Sequence, residues 1–287
     1  MIPIVMTAYN RLDTLKKTLD SLSGCDGIKN RPIMIYIDGG KNEEDRERVF
    51  DVRRFVLTSV IPKYGLPITC SKKHLGLRGN SLLAINESLK KYDKIILIQD
   101  DMQFSKSFLN WMDYALNRYE DRKDIMFASG YSHINYKSSY LSPLIADGLG
   151  IWRKKYEDPT YLFSKVSNYQ KQIYKDFAKH TTQSFASNLR NILKGKSDAF
   201  MALLCYVMYL RNARCIHPGI NKLRYLVSDS TNCKKSDSKK LNNVLYDEFD
   251  LDESNMAYDL IKETKCYKWN LMKRFTRWLK NNLNSLL

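Results

Sequence analysis

Two adjacent carboxylates, Asp100 and Asp101, close the segment IILIQDD at residues 95–101. Such a pair can hold a hard divalent cation, because Mg²⁺ and Mn²⁺ prefer oxygen ligands and usually take one or two carboxylates alongside substrate phosphates. The four apolar residues before Gln99, bounded by polar ones, read as the core of a buried strand in a parallel sheet. Carboxylates at the carboxyl end of such a strand face the crevice where open α/β sheets bind ligands. The alternative is a solvated strand end that caps a helix starting near Ser105. Burial of both acids against arginines, or exposure far from any pocket, would end the cation reading.

A carboxylate pair does chemistry only if a sheet carries it to a cleft, and the amino-terminal half alternates strand and helix patterns. Residues 2–6 read as a first strand, and Leu12, Leu15, Leu19 and Leu22 follow with the spacing of an amphipathic helix. Asn10 reads as the cap of that helix, with Asp13 three residues on. A second strand at 32–37 stops at Asp38-Gly39-Gly40, where glycines permit a turn close to a ligand. The charged stretch 43–60 reads as a helix, 66–70 as a short strand, and Leu82, Ile85 and Leu89 as a helix before the strand at Ile95. Arg78 and Asn80 open that helix, and a helix start is a natural anion site, although the loop 76–79 also reads as an ordinary turn. Phe108, Leu109, Met112, Leu116 and Tyr119 form another helical stripe, and 125–128 a fifth strand. Repeated β-α units of this length predict a mostly parallel sheet with helices on both faces.

The chain of 287 residues suits one large α/β domain with an appendage, or two small domains. Its 44% hydrophobic and 27% charged residues exclude wholesale disorder and a membrane bundle. A net charge of +16 implies attraction to polyanions: nucleotide diphosphates, nucleic acid or anionic headgroups. The first residues have no basic leader, and the longest apolar run, 200–210, is shorter than the roughly 20 residues a bilayer requires. A cytoplasmic protein is expected. The six cysteines form no C-x-x-C pair and no common zinc spacing, so scattered reduced thiols are expected, and the four histidines share no ligand spacing. Without G-x-S-x-G, a P-loop or G-x-G-x-x-G, hydrolase, kinase and dinucleotide readings have no support.

Taken in order, IPIVMTAYNR at 2–11, the strand ending in Asp38-Gly39, HLGLRGNSLLAIN at 74–86, IILIQDDMQFSKSF at 95–108 and DGLGIWRKKYE at 147–157 resemble the GT-A fold glycosyltransferases. The branch they are most similar to joins bacterial capsule and O-antigen glycosyltransferases to the Golgi N-acetylglucosaminyltransferase that initiates complex N-glycans. The resemblance covers residues 1–235, with a nucleotide-sugar half at 1–130 and an acceptor half at 131–235. It implies an α/β, Rossmann-like GT-A fold with a mostly parallel mixed sheet. It also implies transfer of a sugar from a nucleotide-diphosphate donor, UDP-sugar foremost, to a saccharide acceptor.

The same resemblance implies Mn²⁺ or Mg²⁺ at Asp101, with Asp100 either a second ligand through water or a partner of the ribose. Gln99 stands where the family commonly has an acid, which leaves the site less negative. Thr7, Tyr9, Arg11, Arg78 and Asn80 are expected to face the nucleotide, and Asp38 to read the base or ribose unless it is a turn residue. Inverting transfer needs a general base for the acceptor hydroxyl. The family's base begins a helix followed by an apolar stretch and a proline-containing strand, which matches residues 195–223 and makes Asp198 the candidate. Ser197 and Asp198 read equally as an N-cap and a first-turn acid. Asp147, Gly148 and Trp152 match the segment beside the transferred sugar and acceptor, where glycines let backbone approach a pyranose and an indole can cover it, although Trp152 alone reads rather as a buried tryptophan after a turn. The segment SDSTNC at 228–233 lacks the family's glycines, so no metal role falls on Asn232.

Residues 153–196 are basic and tyrosine-rich, either a solvated helical insertion or a wall of the acceptor cleft. Residues 236–287 form a linker and basic tail. At about 100° per residue, a helix over 268–286 places Leu271, Phe275, Trp278 and Leu279 on one face and Lys273, Arg274, Arg277 and Lys280 on the other. That pattern suits an in-plane membrane helix on anionic headgroups, or an ordinary helix docked on the domain. The expected function is inverting, metal-dependent glycosyl transfer to a lipid-linked saccharide in bacterial capsule, O-antigen or exopolysaccharide assembly, peripheral to the membrane and without a nucleic-acid partner. Its rivals are a non-catalytic basic binding protein on the same fold and a sugar nucleotidyltransferase. The latter normally carries a glycine-rich phosphate loop, and TAYNR at 7–11 has no glycine.

Overall fold

Successive strand residues enter opposite apolar layers, as the pleat of a sheet requires. The computed structural model describes residues 1–61, 67–132, 139–162 and 171–226. Its amino-terminal elements are β1 (Ile4–Ala8), α1 (Leu12–Ser23), β2 (Ile33–Ile37), α2 (Glu43–Phe55), β3 (Ile68–Cys70), α3 (Gly76–Leu89) and β4 (Lys94–Gln99). They are followed by β5 (Met102–Phe104), α4 (Phe108–Arg118), β6 (Ile125–Ser129), β7 (Tyr140–Ser142) and β8 (Leu149–Trp152). The described chain ends with α5 (Lys171–His180), α6 (Gln183–Leu193), α7 (Phe200–Leu210), β9 (Arg214–His217) and β10 (Leu223–Tyr225).

Eight strands form one sheet in the order β3-β2-β1-β4-β8-β6-β9-β7, while β10 pairs with β5 beside it. The block β3-β2-β1-β4 is parallel throughout, as the β-α repeats predict. Beyond it the sheet is mixed: β8 runs antiparallel to both β4 and β6, β6 is parallel to β9, and β7 is antiparallel to β9. Ile4, Met6, Ile33, Ile35, Ile96 and Ile98 pack in one layer with residues of α1, α2 and α4. Val5, Met34, Tyr36, Ile95 and Leu97 pack in the other with α3, α6 and α7. Each fully buried aliphatic side chain in these layers contributes roughly 1.5–3 kcal/mol. α/β architecture with helices on both faces is thus what the chain adopts.

Several local expectations change. The cap of α1 is Arg11, and Asn10 instead donates from Nδ2 to Asp45 Oδ1 of α2 at 2.7 Å. The stretch after Phe55 continues as a π-helical turn, Val56–Val60. Trp152 does not face a sugar. It is fully buried, it donates from Nε1 to the Leu116 carbonyl at 2.8 Å, and the Lys155 ammonium lies 4.0 Å from its ring centre. Its strand sends Leu149 and Ile151 into one apolar layer and Trp152 into the other, so both of its faces are core. Gly148, at φ +65°, is close-packed against Leu223, Phe108 and Gly130, so the approach its missing side chain allows is to the core. No helix among the described residues is long and apolar enough to cross a membrane. The linker, the helix expected over 268–286 and Asn232 lie outside the described residues.

Trp152→Ala should destabilise the protein by about 3–5 kcal/mol through the cavity it leaves, read from urea unfolding. A loss below about 1 kcal/mol would contradict the buried placement.

Candidate active site

Parallel pairing of β1 with β4 sets Thr7 opposite Gln99, so the residues just past both strands emerge side by side at one edge of the sheet. There a cleft of about 680 Å³ opens, lined among others by Thr7, Tyr9, Arg11, Asp38, Asn80, Gln99, Asp100, Asp101, Asp147 and Asp198. That volume lies within the 300–1,000 Å³ usual for small-molecule sites. Of the residues expected in a site, Arg78, Gly148 and Trp152 are not on its wall.

The acid pair meets a single arginine there, so the burial against an arginine that speaks against a cation is found for Asp100 and only in part for Asp101, whose side chain stays 16% exposed on the cleft wall. Arg11 donates from Nη2 to Asp100 Oδ1, and from Nη1 to Asp101 Oδ2 at 2.9 Å. The Tyr9 N–H adds a bond to Asp100 Oδ2 at 3.0 Å. Burial raises the Asp100 pKa, Arg11 opposes that shift and Asp101 adds to it. Burial alone would lower the Arg11 pKa, but the two carboxylates outweigh it and raise it. Each Asp100 oxygen therefore already accepts a hydrogen bond. Asp101 Oδ1 differs: it is buried and has no hydrogen-bond partner among the described residues.

That orphan oxygen decides how a cation fits. Among the described residues no three His, Cys, Asp or Glu side chains are grouped to hold an ion. A single unpaired carboxylate oxygen suits instead an ion that arrives with a diphosphate and takes most of its ligands from phosphate and water. On this ground the site fits Mn²⁺ or Mg²⁺ carried by a nucleotide.

The remaining expected residues divide between positioning and cleft wall. Asp38 is buried, with Oδ1 accepting the Gly39 and Leu75 N–H groups at 2.7 and 2.8 Å. Its Oδ2 accepts the Gly76 N–H at 3.0 Å and lies 3.0 Å from His74 Nδ1. With its lone pairs so occupied, Asp38 anchors the 74–76 loop rather than reading a base. Tyr9 donates its hydroxyl to Asp45 Oδ2 at 2.7 Å, and burial, then that bond, pushes its pKa up to about 12. Thr7 Oγ1 reaches the Ile98 carbonyl at 3.4 Å. Asn80 Nδ2 donates to the Tyr36 carbonyl at 3.1 Å, leaving Oδ1 buried and without a partner among the described residues.

Asp198 stands in the turn before α7, its carboxylate partly exposed and 3.7 Å from Arg78 Nη2. Arg78 Nη1 also donates to the Ser197 carbonyl at 3.2 Å, so Arg78 braces the Asp198 turn and does not line the cleft. Gly76, at φ +74°, leaves room for the acid: a Cβ there would lie 2.2 Å from Asp198 Oδ2. The Ser197 hydroxyl accepts the Ala199 N–H at 3.2 Å within the turn, but the N-cap of α7 is Ala199 and has no side-chain cap, so Ser197 and Asp198 are neither N-cap nor first-turn acid.

Sequence reasoning missed four contributors. His74, Tyr225, Phe185 and Asn188 all line the cleft. The latter two come from α6, inside the basic insertion singled out as a possible wall. Tyr225, in a three-residue strand without pattern, donates its hydroxyl to Asp147 Oδ2, while Gln99 Nε2 donates to Asp147 Oδ1 at 3.1 Å. Gln99 thus binds a further acid, Asp147, which stands just before the neighbouring strand β8. Burial pushes the Asp147 pKa up to about 6; the Tyr225 bond opposes this shift and Asp101 reinforces it.

No family model matches the sequence, and no curated protein does. Among solved structures, the chain is similar to Staphylococcus aureus TarS 1–349 in complex with UDP-GlcNAc. Identity is 11% over 80% of this chain and 60% of that one, with a TM-score of 0.49. It is also similar to the mannosyltransferase PcManGT from Pyrobaculum calidifontis in complex with GDP-Man and Mn²⁺, at 13% identity over 74% of this chain and 70% of that one, TM-score 0.39. A third is glucosyl-3-phosphoglycerate synthase from Mycobacterium tuberculosis, at 18% identity over 45% and 43% of the two chains, TM-score 0.30. This chain spans 60% of the TarS 1–349 length. At such scores the fold rests on the sheet itself, and the activity on the site.

Asp147 supplies a pH test. Its pKa is pushed up to about 6 in the folded protein, against roughly 3.9 when unfolded. A carboxyl held up by folding contributes stability that is complete below about pH 4 and lost as pH rises through about 6. Urea midpoints of wild type relative to Asp147→Asn should therefore fall over that interval and level off above it. A difference independent of pH would contradict the buried carboxyl.

Proposed function

We propose that this protein is a metal-dependent glycosyltransferase that moves a sugar from a nucleotide-diphosphate donor to a saccharide acceptor. One observation carries the reading: a single cleft joins Arg11, the acid pair and the orphan oxygens of Asp101 and Asn80 to Asp198 on its other side. A nucleotide-sugar site needs both kinds of group, one for the diphosphate and one for the incoming hydroxyl. The walls come from residues before 130 and after 147, in keeping with a nucleotide half and an acceptor half of one catalytic unit.

In this reading Asp101, whose Oδ1 has no partner among the described residues, would hold the cation, and Arg11 lies where a guanidinium can bind phosphate oxygens. What such a cation supplies, when bound, is an offset to the charge growing on the departing diphosphate. Asn80 Oδ1 offers an acceptor to a base or ribose N–H or O–H. Asp198 takes the proton from the acceptor hydroxyl as that oxygen attacks the anomeric carbon. The bond from that carbon to the diphosphate oxygen breaks, and the nucleoside diphosphate leaves with its electron pair. Attack opposite the leaving group inverts the anomeric centre, and Asp198, partly exposed, is open to an acceptor arriving from solvent. Phe185 and Asn188 of α6 border the acceptor side.

The acceptor we assign is a lipid-linked saccharide at the inner leaflet, in bacterial surface-polysaccharide assembly such as capsule or O-antigen. Its supports are the motif resemblance, the net charge of +16 and the amphipathic pattern at 268–286. A UDP-sugar is the first donor to test.

Asp101→Ala should abolish transfer and Mn²⁺-dependent donor binding; metal-stimulated turnover at the wild-type rate would remove the reading. Asp198→Asn should keep donor affinity within about twofold while turnover falls by about 10²–10⁴, the usual worth of a general base. A wild-type rate in that variant would assign proton removal to another group.

A further inference from the structure

The cation position of this site is already held by a side chain. Asp100 and Asp101 are consecutive carboxylates in a poorly solvated wall, and Arg11 spans them, Nη2 to Asp100 Oδ1 and Nη1 to Asp101 Oδ2 at 2.9 Å. Their partners are unequal. Asp100 is also bound by the Tyr9 N–H at 3.0 Å, whereas the second oxygen of Asp101 has no partner among the described residues. Arg11 is itself partly exposed and lines the cleft, so a phosphate entering the cleft can reach it.

Two facts of electrostatics then conflict. A divalent ion on Asp101 shares a carboxylate with a guanidinium, and like charges a few ångströms apart in a low-dielectric wall repel strongly. A guanidinium, however, binds phosphate with the same forked geometry it uses for carboxylates.

We propose that Arg11 is an exchangeable counter-ion: Arg11 and a divalent cation exclude one another at Asp101, and a nucleoside diphosphate relieves the exclusion by drawing the guanidinium onto its phosphates. The cation alone binds weakly, and cation and nucleotide bind as a pair. By linkage each raises the affinity of the other by the same factor, so Arg11 sets how strongly the two are coupled. Asp100, held by the Tyr9 N–H, remains in place when Arg11 leaves. This inference rests on Asp101 being the cation ligand.

The test titrates the full chain with Mn²⁺ and follows free Mn²⁺ by its electron paramagnetic resonance signal, with and without UDP or GDP. Wild type should bind Mn²⁺ at least tenfold more tightly with nucleotide than without. Arg11→Gln should bind Mn²⁺ alone at least tenfold more tightly than wild type and show a smaller nucleotide effect. If Arg11→Gln does not fold, Arg11→Lys carries the test, since one ammonium cannot fork across both acids, and Mn²⁺ alone should then bind severalfold more tightly. Unchanged affinity for Mn²⁺ alone in the folded variant overturns the exchange. Asp101→Asn separates the two levels. If it retains wild-type Mn²⁺ binding with UDP, the cation site itself is wrong; if it loses that binding while the Arg11 variants match wild type, only the exchange is.

Discussion

Two carboxylates that follow one another out of a buried strand cannot both stay ionised in a poorly solvated wall without a positive charge beside them. That requirement organises this site. The parallel register of β1 on β4, Thr7 against Gln99, brings the turn after β1 alongside the turn after β4. Arg11 and the Tyr9 N–H then fall within reach of Asp100 and Asp101. The acid turn is pinned from its far side as well. The Met102 N–H donates to Thr18 Oγ1 of α1 at 3.1 Å, and the Leu226 N–H donates to the Asp101 carbonyl at 2.7 Å. The charge pair is therefore fixed in a frame of backbone bonds, and the side chains are left to respond to a ligand.

The opposite wall is positioned by a different chain of contacts. Asp38 spends its oxygens on the 74–76 loop, that loop presents Gly76 in a left-handed conformation, and Gly76 leaves the space into which Asp198 points. Arg78, one turn into α3, braces the same turn from the side. An acid that looked suited to reading a nucleotide thus acts two contacts away, on the candidate base. Near the acid pair, Gln99 and Tyr225 together hold Asp147, so a third carboxyl stands close to Asp101.

The parallel block was legible from sequence because strands buried on both faces read as unbroken apolar runs and the helices between them as stripes. What escaped notice was short or doubly determined. β5, β7 and β10 are three residues each, too brief for a period-two pattern, and β10 carries Tyr225. Trp152 stays open between sugar and core in the sequence, because sequence cannot show that β8 lies between β4 and β6, with α4 against its indole. Asn10 gives up its expected cap position to Arg11 and its amide ties α1 to α2 through Asp45, while the Arg11 guanidinium serves the acids. Pairing across 89 or 90 residues of chain leaves no trace in local spacing.

The central claim is that Asp101 receives a cation once a diphosphate has drawn Arg11 away. A crystal structure of the full chain with Mn²⁺ and UDP, with manganese located by its anomalous scattering, tests it most directly. The account predicts manganese coordinated by Asp101 and the diphosphate, with Arg11 turned from Asp101 onto a phosphate oxygen. Manganese bound elsewhere, or nucleotide bound while Arg11 still forks both aspartates, would contradict it.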